Sequence, residues 1–242
     1  MNPEAYQEMA HTENKHWWFV GRRRIMSAVI DALNLPSNAT ILEVGSGTGG
    51  NLAMLSKFGK VSAIEPDDFA REWATRKSNV VVLKGYLPGE LPFNPANFDL
   101  ICLFDVLEHI ESDIAALQSL RPLLKPRGQI VLTVPAYQWL WSSHDEELHH
   151  RRRYTATSLA ACCQQAGYGI SQLSYYNTLL FPVAVAARLL DRLLLRPKAA
   201  GTGIPPELIN RLFLTLFDLE RYALLRLKLP FGVSLMAILK AD

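Results

Sequence analysis

The sequence predicts an α/β fold built on a mostly parallel β-sheet. Short apolar, β-branched runs alternate along the chain with stretches of helical periodicity, the pattern typical of parallel α/β proteins. The 242 residues are enough for one such domain with a full core. Hydrophobic residues make up 49% of the chain and charged residues 20%, which is typical of globular rather than disordered proteins.

Seven segments have the apolar, β-branched character of strands. Several of them, such as IVLTV and LICLF, are nearly continuous apolar runs, as expected for strands buried on both faces. The last two are separated by a much longer connection than adjacent antiparallel strands need. The predicted strands are Thr40–Gly45, Lys60–Glu65, Val80–Gly85, Phe98–Asp105, Gln129–Pro135, Gly169–Tyr176 and Gly232–Lys240.

Helices are predicted between these strands from periodicity and capping signals. Ser112 or Asp113 would cap one helix, and Gly167 would end another in a left-handed conformation. Two more fill the long connection, the second with apolar residues at helical spacing. The predicted helices are Arg23–Leu33, Asp113–Leu124, Thr157–Ala166, Val183–Leu195 and Glu207–Lys228.

These elements form a single predicted domain over residues 1–242. Its parts are N-terminal helices at 1–35, an α/β core at 36–177, a helical insertion at 178–229 and the last strand at 230–242. The insertion leaves and re-enters the sheet at its carboxyl edge, so we expect it to roof that edge. Its apolar character also fits a core element, a homodimer interface or contact with a membrane surface.

Charge and cysteine content exclude several partners. A net charge of +2 with basic clusters only at 22–24 and 151–153 predicts no nucleic-acid partner. Cys102, Cys162 and Cys163 give no disulfide framework and predict reduced thiols in a cytoplasmic protein.

Membrane-spanning and secretory segments are not predicted. Residues 1–19 lack the apolar region of a signal peptide. The most apolar stretch, Leu179–Leu195, is interrupted by Arg188, Asp191 and Arg192. Peripheral contact with a membrane therefore stays open.

A glycine-rich turn follows the first strand in Glu43-Val-Gly-Ser-Gly-Thr-Gly-Gly50. Glycines let the backbone approach a ligand closely and adopt positive φ. Read as G-x-G-x-x-G the turn fits a dinucleotide, and read as E-x-G-x-G-x-G it fits S-adenosylmethionine. Glu65, about 20 residues further on, would bind ribose hydroxyls in either case.

The following segments decide between these interpretations. They are LPF at 91–93, FDLICLFDVLEHI at 98–110 and LLKPRGQIVL at 123–132, in this order and spacing. Together with the glycine turn they resemble the class I S-adenosylmethionine-dependent methyltransferases, over residues 40–135. The resemblance implies a Rossmann-like seven-stranded sheet of strand order 3-2-1-4-5-7-6, with the last strand antiparallel, helices on both faces and a helical insertion between the last two strands.

The resemblance makes residues 1–35 lid helices, residues 36–177 the cofactor-binding core, and the insertion at 178–229 the roof over the acceptor side. It also implies which residues bind the cofactor. Glu43 and the turn of Gly45, Ser46, Gly47 and Gly49 would hold its methionine part. Glu65 would bind the ribose, with Pro66 beside the adenine. The remaining predicted contacts are Gly85, Tyr86 and Leu87 near the adenine, the backbone of Phe104 with Asp105, and the leader residues Trp18 or Phe19 and Arg22 or Arg23. The family often has an acidic residue where this chain has Tyr86, so we expect the adenine to be bound by backbone and packing.

The acceptor side is predicted from the histidine-rich segment after the fifth strand and the turn after the fourth. His109, His144 paired with Asp145, and His149 are the candidate general bases. Tyr137, Trp141, Arg152 and Arg153 are the candidate substrate-binding residues, the arginines for an acidic group. The alternative for this segment is a solvated basic patch.

A metal is not expected. The alternative is a divalent cation on Asp105, Glu108 and His109, whose spacing places them on one face of a helical turn. This pattern resembles metal sites of some O-methyltransferases, including enzymes of the ubiquinone pathway.

The expected reaction is methyl transfer from S-adenosylmethionine to an oxygen or a nitrogen of a small, glycan or lipid-linked acceptor, with S-adenosylhomocysteine as product. The HWWF leader at 16–19, HHRRRY at 149–154 and PFGVSL at 230–235 resemble a bacterial subgroup associated with glycan synthesis. The alternatives are an NAD-binding oxidoreductase, which the glycine turn alone would permit, and a catalytically silent methyltransferase fold that acts as a binding partner.

Overall fold

A computed structural model describes residues 3–89, 91–193 and 203–241. Within them a seven-stranded sheet has the order β3-β2-β1-β4-β5-β7-β6. β7 is antiparallel to both of its neighbours and the other pairs are parallel. The predicted strand order and direction are therefore confirmed. The strands are β1 (Thr40–Val44), β2 (Lys60–Ile64), β3 (Val82–Leu83), β4 (Phe98–Phe104), β5 (Leu124–Pro135), β6 (Tyr168–Tyr176) and β7 (Ser234–Ala241).

Helices cover both faces of the sheet, as predicted. The described helices are α1 (Pro3–Thr12), α2 (Trp17–Asp31), α3 (Leu52–Leu55), α4 (Asp68–Ser78), α5 (Asp113–Leu120), α6 (Ser143–Glu147), α7 (Ala156–Gln165), α8 (Phe181–Leu193) and α9 (Glu207–Leu224). α5 and α7 bury Leu117 and Leu159 against one face. α2, α3 and α9 bury Ile25, Leu55 and Phe217 against the other.

Several predicted boundaries are wrong, for local reasons. α2 begins at Trp17 rather than Arg23 because the Nδ1 atom of His16 accepts a hydrogen bond from the Trp18 N–H at 3.2 Å and caps the helix. The helix predicted to end at Leu124 ends at Leu120, where a 3₁₀ turn containing Pro122 follows. β5 consequently starts earlier than predicted.

The insertion is divided between the core and the carboxyl edge. Residues 194–202, with the predicted end of the first insertion helix, lie outside the described residues. α9 lies along α2, with the Trp17 ring 5.5 Å from Phe213 and 5.7 Å from Phe217. Phe217 lies so close to Gly21 that a Cβ there would be 2.5 Å from its ring. α9 thus completes the core beside α2, while the start of α8 reaches the carboxyl edge of the sheet, where Phe181 lies 5.8 Å from Tyr137.

In the described part of the chain no helix is both long enough and apolar enough to cross a membrane.

Candidate active site

The glycine turn after β1 has the backbone that its sequence predicts. Gly45, Gly47 and Gly49 have φ angles of 68°, 52° and 80°, in the region that favours glycine. A Cβ on Gly45 would lie 2.7 Å from Cγ2 of Val106. The turn is tied to β2 because Gly45 and Ser46 donate backbone hydrogen bonds to the Ile64 carbonyl at 2.9 and 3.1 Å. The turn therefore presents its backbone at the carboxyl ends of β1 and β2.

Glu65, directly after β2, is buried beside this turn. Its carboxylate accepts hydrogen bonds from the backbone N–H of Gly47 at 2.8 Å and of Asp67 at 3.1 Å, and from the Tyr6 hydroxyl at 3.3 Å. Burial raises the pKa of Glu65, and the hydrogen bonds oppose this rise. Pro66 follows in an exposed position. The predicted ribose-binding carboxylate thus lies within hydrogen-bonding distance of the glycine turn.

Glu43 lies under the turn and is fully buried. Asn51 donates a hydrogen bond to its Oε1 at 2.8 Å. Its Oε2 and the Ser46 Oγ have no hydrogen-bond partner among the described residues. Burial raises the pKa of Glu43 to about 8, although the Asn51 hydrogen bond lowers it. Buried polar atoms without partners are rare, so this pair marks a place where a polar ligand would bind.

The N-terminal helices contact the same turn. Glu13 is buried, accepts a hydrogen bond from the Thr48 hydroxyl at 2.8 Å and forms an ion pair with Lys77. Arg23 donates to the Glu13 carbonyl at 2.6 Å. Sequence reasoning missed Glu13 and Tyr6, because no motif surrounds them and their partners are far away in the chain.

Arg22 reaches the end of β4. Its guanidinium lies 4.5 Å over the Trp18 ring and forms a close ion pair with Asp105. The sequence predicted that either Arg22 or Arg23 contacts the cofactor. The structure places Arg22 at Asp105 and Arg23 at the glycine turn.

The predicted adenine side is less enclosed. The Tyr86 side chain is 68% exposed, Leu87 is half-buried against the core, and Gly85 is buried against Ile64. Phe104, whose backbone is the predicted contact, is buried at the end of β4.

Three non-glycine residues adopt left-handed backbone conformations directly beyond the carboxyl ends of strands. Asp105 has φ 57° just after β4, Tyr137 has φ 59° two residues after β5, and Asn177 has φ 59° just after β6. Such conformations cost free energy in a bulky residue such as Tyr, and they cluster at functional sites. This edge of the sheet is therefore the candidate acceptor side.

A buried ion cluster organises this side. Asp145 is fully buried and was predicted to pair with His144, but it instead pairs with His150 and Arg153. His150 Nδ1 lies 2.9 Å from Asp145 Oδ1, and Arg153 donates to both carboxylate oxygens at 2.7 and 2.9 Å. Arg153 also donates to the Ala136 carbonyl at 3.2 Å. The cluster fixes the segment from β5 to α7.

The candidate bases differ in environment. Burial lowers the pKa of His109 to about 3, with the neighbouring His150 adding to the effect. Burial lowers the pKa of His144 to about 4. His149 is exposed and has a left-handed backbone, and its backbone forms a hydrogen bond with His109.

Glu108, His109 and His150 form a compact group of donor atoms, all within 4.8 Å of one another. Glu108 is fully buried, and neither carboxylate oxygen has a hydrogen-bond partner in the described ranges. Burial raises the pKa of Glu108, with the charge of Asp105 adding to the effect. Asp105, which belonged to the alternative ligand set, lies outside this group and pairs with Arg22. The third member of the group is His150.

Among the predicted substrate-binding residues, the arginines already have partners in the protein. Arg152 pairs with Asp113 at 2.8 Å and donates to the Glu111 carbonyl at 2.7 Å. Arg153 belongs to the Asp145 cluster. Their contact with substrate stays a prediction.

Tyr137 lies in an aromatic cluster that sequence reasoning found only in part. Its ring stacks on Tyr175 at 5.1 Å and lies 5.5 Å from Trp139 and 5.8 Å from Phe181. Phe181 is 5.5 Å from Phe231. Trp141 is half-buried and is not among these ring contacts, whereas Trp139, which is 49% exposed, is. Substrate binding by Trp141 stays a prediction.

Comparison with known proteins identifies the family. Residues 18–173 match the model of a methyltransferase domain family. The chain belongs to this family. The methyltransferase domain has S-adenosylmethionine as its cofactor, which sets aside the NAD-dependent alternative.

Two solved structures and one curated relative extend the comparison. A Haloferax volcanii protein in complex with the methyltransferase activator Trm112 has a TM-score of 0.63 and 16% identity, covering 98% of this chain and 94% of that one. A Thermotoga maritima S-adenosylmethionine-dependent methyltransferase has a TM-score of 0.60 and 17% identity, covering 98% and 100%. The mitochondrial ubiquinone biosynthesis O-methyltransferase of Schizosaccharomyces pombe is 31% identical over 119 residues, 46% of this chain and 43% of the relative's length.

The residues present fit S-adenosylmethionine. The positive-φ glycines permit close approach to the methionine part, and Glu65 offers two oxygens to the ribose hydroxyls. The unpartnered Oε2 of buried Glu43 leaves a hydrogen-bonding position for a polar group of the cofactor.

Proposed function

We propose that the protein transfers the methyl group of S-adenosylmethionine to an oxygen atom of a small acceptor, and that Glu108, His109 and His150 hold a divalent cation at the acceptor side. The observation that carries this proposal is the buried Glu108 carboxyl, with no hydrogen bond from the described chain, beside two imidazoles. The O-methyltransferase name of the Schizosaccharomyces pombe relative supports oxygen over nitrogen.

One carboxylate and two imidazoles suit borderline divalent metals such as Zn²⁺. Asp145 accepts the Nδ1 proton of His150, which leaves the Nε2 lone pair on the side of Glu108, 4.0 Å from its Oε1. A carboxylate that orients a histidine in this way is the usual outer layer of a metal site. When bound, a divalent cation would lower the pKa of an acceptor hydroxyl and orient its oxygen.

The histidines suit ligation better than base catalysis. A buried imidazole that stays uncharged keeps its lone pair for a ligand. An imidazole with a pKa of about 3, such as His109, is a weak base at neutral pH. We therefore reassign His109 from base to ligand, and His149 stays the candidate base on the exposed side.

The acceptor would carry an apolar or aromatic part. Tyr137, Trp139 and Phe181 present ring faces at the carboxyl edge, where flat or apolar groups stack. Phe231 extends this cluster toward the end of the insertion. These contacts support a lipid-linked or aromatic small acceptor over a wholly polar one.

The test is transfer of labelled methyl from S-adenosylmethionine into fractionated cell extract, with and without EDTA. We expect label in the organic phase, loss of label with EDTA, and recovery on adding Zn²⁺. Mass spectrometry of the isolated product would locate the methyl on oxygen or nitrogen. Methylated nitrogen would contradict the proposal.

Two variants test the cation site directly. Glu108→Gln and His150→Ala should lose Zn²⁺ binding in calorimetry yet keep S-adenosylhomocysteine binding, since neither residue is among the predicted cofactor contacts. His11→Ala, which removes an exposed histidine on α1, is the matched control and should bind Zn²⁺ like the wild type. Wild-type protein that binds no Zn²⁺, and whose activity is unchanged by EDTA, would refute the cation.

The silent-fold alternative gives a different result. A catalytically silent domain would bind S-adenosylhomocysteine and be stabilised by it, yet label no fraction of the extract.

A further inference from the structure

The outward face of α9 carries large apolar side chains that the described chain leaves in solvent. Leu208 is 81% exposed, Leu212 is 53% exposed and Leu219 is 51% exposed. On the opposite side of the helix, Phe217 and Leu224 are buried against α2. α9 therefore carries apolar side chains on its outward side as well as on its core side. A surface helix normally has polar residues on the side that faces water.

Beside these leucines lies a basic groove of about 340 Å³ between α2 and α9. Arg24, Arg211 and Arg221 line it, together with Tyr222 and a single acidic residue, Asp218. The Arg221 guanidinium lies 4.7 Å over the Tyr222 ring. Asp218 pairs with Arg24 and Arg221, and Glu207 pairs with Arg211, so three guanidinium groups meet two carboxylates and the groove keeps a net positive charge. Guanidinium forks match the geometry of phosphate oxygens.

We propose that this α9 surface, defined by Leu208, Leu212, Leu219 and the arginine groove, docks the protein on an anionic lipid bilayer. The leucines would enter the boundary between headgroups and acyl chains, and the groove would receive lipid phosphates. The proposal goes beyond the proposed function, because bilayer binding needs no methyl transfer.

The pattern continues past the end of α9. Leu225 and Leu227 are 45% and 61% exposed, and Arg226 and Lys228 alternate with them as exposed cations. Long basic side chains keep their charge in water while their stems cover apolar surface, which suits the edge of a bilayer. Phe231, 42% exposed, then joins this surface to the aromatic cluster through Phe181.

Charge favours a bilayer over a second copy of the chain. In a two-fold dimer the same patch appears on both subunits, so the α9 surface would be placed against its own arginines. Like charges brought together at an interface oppose association. An anionic bilayer instead neutralises each of these arginines, and each basic group near such a surface strengthens binding by a factor of about five.

The test is co-sedimentation of the full chain with vesicles of phosphatidylcholine alone or with an equimolar share of phosphatidylglycerol. We expect binding to the anionic vesicles, little to the neutral ones, and release by salt. Arg211→Glu should weaken binding at least about fivefold. Arg76→Glu is its matched control, because Arg76 and Arg211 are both highly exposed and both pair with a glutamate four residues earlier.

A second pair of variants tests the apolar part. Leu208→Ser should weaken binding about tenfold, the effect of withdrawing one leucine side chain from an apolar phase. Val81→Ser, at a 67% exposed position near β3, should bind like the wild type. S-adenosylhomocysteine binding should be unchanged in all four variants, which separates this test from that of the proposed function.

Three results would overturn the proposal. One is equal binding to neutral and anionic vesicles, and another is equal loss in the Arg211 and Arg76 variants. The third is a stable dimer by sedimentation velocity that Leu208→Ser converts to monomer, with no vesicle binding, because the surface would then belong to a second copy.

Discussion

The cofactor side and the acceptor side lie along one edge of the same sheet but are held in different ways. The glycine turn is fixed by backbone: Gly45 and Ser46 bond to β2, and three glycines adopt positive φ. The acceptor side is fixed by side chains, chiefly the buried carboxylate of Asp145 with Arg153 and His150. The cofactor side therefore depends on local backbone geometry. The acceptor side depends on ion pairs between side chains that come together only in the folded chain.

This difference predicts distinct responses to mutation. Damage to the cofactor side should impair ligand binding through backbone shape. Damage to the acceptor side should first appear as lost stability, because unpaired buried charges are costly.

The largest effect should come from Asp145→Ala. The Arg153 side chain is only 6% exposed, so removing its carboxylate partner would leave a buried charge unpaired. We expect the free energy of unfolding in urea to fall by about 3–5 kcal/mol. Glu72→Ala, which removes an exposed ion pair with Arg76, should leave that free energy nearly unchanged. Similar losses in both variants would mean that the ion cluster does not hold the acceptor side.

Gly45→Ala should follow, on the cofactor side. A left-handed backbone costs a non-glycine residue about 1–2 kcal/mol, and the new methyl would also displace Val106. We expect most of the thermal stabilisation by S-adenosylhomocysteine to disappear. Gly203→Ala, where a Cβ would meet nothing within 4 Å, is the control. Undiminished stabilisation in Gly45→Ala would show that the turn does not depend on its glycine.

Glu65→Gln should weaken S-adenosylhomocysteine binding about 10- to 100-fold, because a hydrogen bond to a charged group is worth about 1.5–3 kcal/mol. Calorimetry would measure the change, with the exposed Glu72→Gln as control. Unfolding free energies should stay close to the wild type, unlike those of Asp145→Ala. A large loss of stability with unchanged affinity would mean that Glu65, like Asp145, stabilises the fold and does not bind the ligand.

The smallest effect concerns Asp99, at the start of β4, which links β1 and β5 at the opposite edge of the sheet. It accepts hydrogen bonds from the Thr40 N–H at 2.8 Å and from Lys125 at 2.7 Å. Partial burial would raise the pKa of Asp99, but these bonds outweigh it and lower the pKa below its usual range.

Stability from a depressed carboxyl pKa is present above the unfolded value of about 3.9 and is lost as pH falls through the folded value. Asp99→Asn should therefore cost about 1 kcal/mol at neutral pH, the size of one hydrogen bond. The cost should shrink below about pH 4. Urea unfolding across this range would show it, and a cost independent of pH would contradict the assignment.

The same contrast explains what could be predicted from sequence. The strand order followed from a family resemblance, and the conformation of the glycine turn followed from the glycines themselves. Glu65 was found because its position after the second strand places it beside that turn. These inferences need only a residue and its near neighbours.

Pairings between distant side chains could not be predicted in this way. His144 adjoins Asp145 in sequence, yet Asp145 reaches five residues ahead to His150. Arg22 lies 83 positions from Asp105, and their pairing is what removes Asp105 from the predicted ligand set. Only the folded arrangement shows which of several equivalent charges meet.

The contact between α2 and α9 has a mechanical consequence. Phe217 fills the space above Gly21, so α2 has no room to tilt or slide without carrying α9 with it. Gly21 is followed directly by Arg22, whose guanidinium pairs with Asp105 at the end of β4. A displacement of α9 that moves Phe217 would therefore also move Gly21, and with it the Arg22–Asp105 ion pair at the end of β4.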